Sequence, residues 1–132
     1  MKKQTLGIII LTICILVTAC GSVTSTITKL NDNALSDPKS SIGYQLELLK
    51  SGDADKLRAC FTDRVRDNVT KDSVEKGKTE AAKYTLDDLV GSVETGEYEG
   101  KKTAKIKMKN GKALTTLIET NNQWLADTIW FK

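Results

Sequence analysis

The chain has 132 residues, of which 39% are hydrophobic, and its 20 basic and 17 acidic side chains give a formal charge of +3. This length allows one compact domain. Because the chain has no histidine, it cannot be a hydrolase with an imidazole base, and most zinc enzymes and histidine-based pH switches are excluded as well.

The first 19 residues have the pattern of a secretory leader. A basic head over residues 1–5 precedes an apolar run over residues 6–17, LGIIILTICILV. As a helix this run spans only about 18 Å, which is short of the roughly 30 Å hydrocarbon core of a bilayer. A basic head, a short apolar run and small residues are typical of a cleaved signal peptide. We therefore predict a signal peptide over residues 1–19.

The leader ends in residues 17–20, VTAC, which are followed by Gly21 and Ser22. This segment resembles the lipobox of bacterial lipoproteins, in which a small residue precedes the cysteine that becomes the acylated amino terminus. The resemblance implies that acyl chains on Cys20 anchor the chain to a membrane of the bacterial cell envelope, on its extracytoplasmic side. The alternatives are cleavage after Ala19 that leaves Cys20 free, and an uncleaved short membrane anchor.

Loss of the leader changes the cysteine inventory and the charge. Cys14 leaves with the leader and Cys20 is acylated, so Cys60 has no partner for an intramolecular disulfide. We expect Cys60 to be a small buried hydrophobic residue. The loss of Lys2 and Lys3 brings the product close to neutrality, and a nucleic-acid partner is not expected.

Residues 20–36 are predicted to be the lipidated cysteine and a flexible tether, since they are rich in Ser, Thr, Asn and Asp. A single domain is predicted over residues 37–132. It opens with Asp37 as the N-cap and Pro38 as the first residue of a helix, which ends at Gly52. Further helices are predicted to begin at Asp53 and at Thr70 or Asp72, and one more capped turn is predicted at Thr85.

From Ser92 onward the hydrophobic period changes to two, which is typical of strands. Turn signals at residues 99–100, 110–111 and 121–122 divide this region into four strands. Helices followed by an antiparallel meander predict an α+β fold with the helices on one sheet face. The predicted strands are roughly residues 92–98, 101–109, 112–120 and 123–131.

The turn at residues 110–111 allows two registers. A two-residue turn places Ile106 opposite Thr115, whereas a three-residue loop with Gly111 in the left-handed conformation groups Ile106 with Leu114. The second buries more apolar surface, and we prefer it. With a two-residue turn at residues 121–122, the predicted core face carries Ile106, Met108, Leu114, Thr116, Ile118, Leu125, Asp127, Ile129 and Phe131. The opposite face then carries Leu117, Trp124, Ala126, Thr128, Trp130 and several lysines.

A family resemblance accompanies this pattern. The helix opened by residues 37–38, the segment LLKSGDADKL over residues 48–57 and the segment TLDDLV over residues 85–90 are similar to nuclear-transport-factor-2-like domains. The resemblance covers about residues 37–132. It implies a cystatin-like cone of helices on a curved sheet, often with a pocket and often dimeric through the outer sheet face. Many relatives have more than four strands.

Asp127 is the one candidate catalytic residue. Among apolar neighbours and opposite Thr116, its carboxyl would have a raised pKa and could act as a general base, as carboxylates in enzymes of this fold do. Alternatively, Thr116, a helix amide or the geometry of a bulge provides hydrogen bonds to the carboxylate, or the register differs and the carboxylate is exposed. Thr116 and Asp127 are therefore the ligand-pocket candidates, and no metal site or cofactor is predicted.

Leu117, Trp124 and Trp130 form a candidate partner surface on the outer sheet face, for another protein or a second copy of the chain. Alternatively, these residues are core and the register is inverted. Lysines at residues 101–112 could meet anionic headgroups, although pairing with neighbouring glutamates is the simpler account.

Two functions follow from these features. The first is a membrane-anchored accessory or binding module for a protein partner or a small apolar ligand. The alternative is a small isomerase-like or hydratase-like enzyme that uses Asp127.

Overall fold

A computed structural model describes residues 33–131. The predicted signal peptide, Cys20 and the first part of the predicted tether lie outside the described residues. Within the described part, no helix is both long and apolar enough to cross a bilayer. The helices are α1 (Pro38–Ser51), α2 (Ala54–Arg58), α3 (Asp63–Arg66), α4 (Lys71–Ala81) and α5 (Leu86–Leu89).

Local capping sets the helix boundaries. The Asp37 carboxylate accepts from the Ser40 amide at 3.1 Å, and Pro38 follows at the first helical position. Helix α1 ends at Gly52, whose φ of +76° places it in the left-handed region. Asp53 caps α2 in the same way through the Lys56 amide. These boundaries are the predicted ones.

The chain then forms one antiparallel sheet in the order β1-β2-β3-β4, and the predicted α+β fold with helices before a four-stranded meander is confirmed. Glu99 and Gly100 both have positive φ, as do Asn121 and Asn122, which is the requirement of two-residue type I′ turns. The strands are β1 (Ser92–Tyr98), β2 (Lys101–Lys107), β3 (Ala113–Thr120) and β4 (Gln123–Ala126).

The loop between β2 and β3 has the predicted three-residue form. The Met108 amide donates to the Lys112 carbonyl at 2.7 Å, and Gly111 has a φ of +85°. One residue further, the register shifts: Lys107 pairs with Ala113, whereas Ile106 pairs with Thr115. The extra residue of this β-bulge is Leu114.

Ile106 is completely buried, as predicted, but the predicted core face is wrong beyond this bulge. Beyond Leu114 the side chains of β3 alternate in the opposite phase, so Leu117 lies beside Ala104 and Ala126 on the helix-covered face. All three are completely buried. Thr116, Ile118, Leu125 and Asp127 lie on the opposite face.

Strand β4 is also shorter than predicted: it ends at Ala126, and one further backbone bond, from the Asp127 amide to the Thr116 carbonyl, continues its pairing with β3. Phe131 is buried, and its ring meets Phe61 edge-on at a centroid distance of 5.9 Å. A Cβ on Gly77 would lie 2.7 Å from the Phe131 ring, so the glycine inside α4 provides the space for this ring. Helix α4 nonetheless continues through Gly77, as the predicted third helix does.

The packed domain begins before Asp37. Leu35 is buried, and its carbonyl accepts from the Trp124 amide at 2.8 Å. The predicted tether therefore overlaps the start of the domain at its last residues.

A chain of buried hydrogen bonds ties α1 to the end of the sheet. The Ser41 hydroxyl donates to the Trp124 carbonyl at 2.7 Å, and the Gln45 amide nitrogen donates to the Ser41 hydroxyl at 3.1 Å. The Gln45 amide oxygen in turn accepts from the Trp130 indole at 2.9 Å. Ser41 and Gln45 are completely buried, so each must find its partners inside the protein.

Gln45→Ala is expected to lower the free energy of unfolding by about 2–3 kcal/mol, because it leaves the Trp130 indole and the Ser41 hydroxyl short of partners. Urea unfolding of the full chain measures this change. Glu47→Ala, an exposed substitution in the same helix, is the matched control and should stay within about 0.5 kcal/mol of wild type. Equal effects of the two substitutions would contradict the role of the network.

Candidate functional site

A groove of about 530 Å³ lies on the sheet face that the helix layer leaves uncovered. Ile118 and Leu125 contribute its apolar lining, and Tyr98 stands beside them with 66% of its surface exposed. The far wall is formed by the segment that contains α3. The polar lining residues are Thr62, Asp63, Arg64, Arg66, Glu99, Lys101, Thr120, Asn121, Gln123 and Asp127.

Backbone pairing places the α3 segment at this position. The Ala126 amide donates to the Cys60 carbonyl, and the Thr62 amide donates to the Ala126 carbonyl, each at 2.9 Å. Phe61 thereby forms a parallel bridge with Ala126 and covers the outer edge of β4. The chain then turns into α3, which brings Arg64 over the sheet face.

Asp127 and Arg64 each make three side-chain hydrogen bonds in the groove. Arg64 reaches its carboxylate with two nitrogens, Nη2 at 2.8 Å and Nε at 3.2 Å. Arg64 Nη2 also donates to the Asp127 carbonyl at 2.7 Å, and the Thr62 hydroxyl donates to the carboxylate at 2.8 Å. This forked arrangement fixes both groups in orientation.

The expected raised pKa of Asp127 is wrong. Partial burial acts to raise the pKa, but the hydrogen bonds from Arg64 and Thr62 and the charges of Arg64 and Lys101 outweigh it, so the pKa lies below its usual range. The physical reason is the register, which moves Asp127 out of the apolar face and next to a guanidinium. A carboxylate held ionised in this way is a poor proton acceptor.

The sequence gives little indication of this pairing, because Arg64 and Asp127 are 63 positions apart. Threonine is a common N-cap residue, and Thr62 stands at the N-cap position of α3. Its hydroxyl nevertheless makes no capping bond and donates to the Asp127 carboxylate instead. The other pocket candidate, Thr116, lies beside Asp127, since its carbonyl accepts from the Asp127 amide at 2.9 Å. Thr116 is not among the residues that line the groove.

The candidate partner surface of Leu117, Trp124 and Trp130 is not exposed. Leu117 is completely buried, Trp124 is 9% exposed, and Trp130 is half-buried with its indole bonded to Gln45. The alternative interpretation, in which these residues belong to the core, is the correct one. The cause is again the phase shift at Leu114.

Two other predicted features fit the simpler interpretations. Lys107 pairs with Glu94 at 2.6 Å and Lys102 pairs with Glu119 at 3.4 Å, so glutamates on adjacent strands neutralise part of the lysine cluster. Cys60 is buried, and burial raises the pKa of its thiol to about 12. The thiol is therefore protonated and unreactive at neutral pH.

The described residues contain no group of three or more acidic, cysteine or histidine side chains that could hold a metal ion. Compared with protein-family models, with curated proteins and with solved structures, the chain gives no match.

The Asp127 ion pair is expected to produce a pH dependence of stability. Since the folded-state pKa is depressed, the stabilisation is fully present above the unfolded value of about 4 and is lost as the pH falls through the lower folded value. Asp127→Asn should therefore flatten the loss of stability below about pH 5. Urea unfolding across this acid range measures the effect.

Asp67→Asn is the matched control, because Asp67 also pairs with an arginine but has 93% of its side chain exposed. It should keep the wild-type acid dependence. An Asp127→Asn variant with an unchanged acid profile would show that the ion pair adds nothing to stability.

Proposed function

We propose that this chain is a lipoprotein of the bacterial cell envelope, acylated at Cys20, whose domain is a binding module. The observation that carries the proposal is the segment VTAC at residues 17–20 directly after a basic head and a short apolar run. Acyl chains contribute about 0.8 kcal/mol per buried methylene, so two or three chains anchor a protein stably where one is marginal. The tether then holds the domain on the extracytoplasmic side.

We also propose a nuclear-transport-factor-2-like fold for the domain. Support comes from where the resembling segments lie. The segment at residues 48–57 includes the end of α1, the left-handed Gly52 and the Asp53 cap of α2. The segment at residues 85–90 is the Thr85-capped helix α5, which leads into β1. The order of helices and strands agrees with such a domain.

The groove supports binding over catalysis. Its volume of about 530 Å³ is within the usual range for ligand sites, and it combines an apolar patch with polar walls. The alternative function, an enzyme, would use Asp127 as its general base, but the Asp127 carboxylate already accepts hydrogen bonds from Arg64 and Thr62. We therefore favour a protein segment or a small apolar ligand that packs on Ile118 and Leu125.

One experiment in cells that encode the protein naturally tests both parts of the proposal. With labelled palmitate and a membrane-permeable crosslinker, wild type should carry label, sediment with membranes and form a crosslinked adduct. Cys20→Ala should lose the label and the membrane association. Ile118→Glu should keep both but lose the adduct, because it places a charge on the apolar lining of the groove.

Lys105→Glu, an exposed change on the neighbouring strand outside the groove lining, is the control and should keep the adduct. Label that survives Cys20→Ala would overturn the lipoprotein assignment. An adduct that survives Ile118→Glu unchanged would overturn the groove as the binding site.

A further inference from the structure

The two edges of the sheet are treated differently by the fold. Residues 60–62 pair with Ala126 and cover the edge at β4. At the other edge, all seven residues of β1 are exposed, so no described element covers this strand. The large hydrophobic side chains that the described residues leave exposed, Val93 and Tyr98, both lie on β1.

Strand β1 also lacks the usual devices that protect an edge. Its sequence, SVETGEY, contains no lysine and no proline, and its pairing with β2 is regular along its whole length. Its two glutamates do not place unpaired charge at the open edge, because Glu94 pairs with Lys107 of β2 and Glu97 lies directly opposite Lys102. As far as residues 33–131 are concerned, this edge is therefore open to pairing with another strand.

The turn at residues 99–100 determines which backbone groups are free. The residues that flank a two-residue turn, Tyr98 and Lys101, form a hydrogen-bonded pair, and such pairs alternate along an antiparallel ladder. The N–H and C=O groups of Val93, Thr95 and Glu97 therefore point away from β2 and toward solvent.

We propose that β1 pairs antiparallel with β1 of a second copy of this chain, with Thr95 opposite Thr95 on the two-fold axis. In this register Val93 faces Glu97 of the second copy, so the free backbone groups of both strands meet as hydrogen-bonded pairs. The two sheets join into one, with like faces on the same side.

The side chains of β1 favour this register over its neighbours. Glu94 faces Gly96 of the second copy, and the Tyr98 ring faces the small Ser92. Registers centred on Glu94 or on Glu97 place identical carboxylates directly opposite each other, which is destabilising. A register centred on Gly96 moves Val93 beyond the paired strand and shortens the ladder. Self-complementarity of this kind is what a two-fold interface requires.

Cysteine crosslinking of the full chain tests the register. In the proposed pairing, the Cα atoms of the two Thr95 residues are about 5.5 Å apart, within the range that a disulfide bridges. Under mild oxidation, Thr95→Cys should give at least about tenfold more covalent dimer than Ser92→Cys, whose two copies would be about 20 Å apart at opposite ends of the ladder. Wild type, with only its native cysteines, supplies the baseline.

A second pair of variants tests the same interface without oxidation. Thr95→Pro removes an edge N–H that bonds to no element among residues 33–131. It should abolish the dimer in sedimentation measurements while leaving the circular dichroism of the fold intact. Thr95→Ala should keep the dimer. Three results would each overturn the proposal. The first is equal crosslinking of Thr95→Cys and Ser92→Cys, and the second is no crosslinking of Thr95→Cys above the baseline. The third is a dimer that survives Thr95→Pro. The test is independent of acylation at Cys20 and of ligand binding in the groove.

Discussion

Leu114 is the extra residue of a β-bulge, and the rest of the sheet depends on the phase that this bulge sets. Side chains alternate with a period of two along a strand, so one inserted residue exchanges the two faces of everything beyond it. Past Leu114 the alternation directs Leu117 to the helices and Thr116 to the opposite face. Because a two-residue turn joins β3 to β4, the same alternation continues into β4. It places Trp124 on the helix-covered face and Asp127 on the opposite face.

This alternation of side chains beyond Leu114 determines the main contacts on both faces of the sheet. On the helix-covered face, Trp124 and Trp130 come within reach of α1, where Ser41 and Gln45 supply the hydrogen bonds that a buried carbonyl and an indole need. On the opposite face, Asp127 meets Arg64 and becomes a fixed, ionised group. The first interaction positions the helix on the sheet, and the second fixes the wall of the groove.

The local features of this fold are predictable from the sequence, because each depends on residues close together in the chain. Asp37 and Pro38 mark the start of a helix, Gly52 marks its end, and the turn at residues 121–122 sets the register of β4 as predicted. Strand β1 has the predicted bounds. All of these signals act over a few residues.

The features that the sequence does not predict depend on distant contacts. The position of the bulge follows from which face packs best on the helices, and no local residue specifies it. Arg64 and Thr62 meet Asp127 only because Phe61 pairs with the edge of β4. The groove wall and the low pKa of Asp127 depend on that long-range pairing together with the register set by the bulge, so local sequence alone predicts a raised pKa instead.

Nuclear Overhauser contacts across β2 and β3 of the isotope-labelled protein test the bulge most directly. The structure predicts backbone contacts between Ile106 and Thr115 and between Ala104 and Leu117, with Leu114 facing no single residue of β2. Contacts that pair Ile106 with Leu114 instead would contradict the account, since they would return Asp127 to the helix-covered face and expose Leu117 and Trp124.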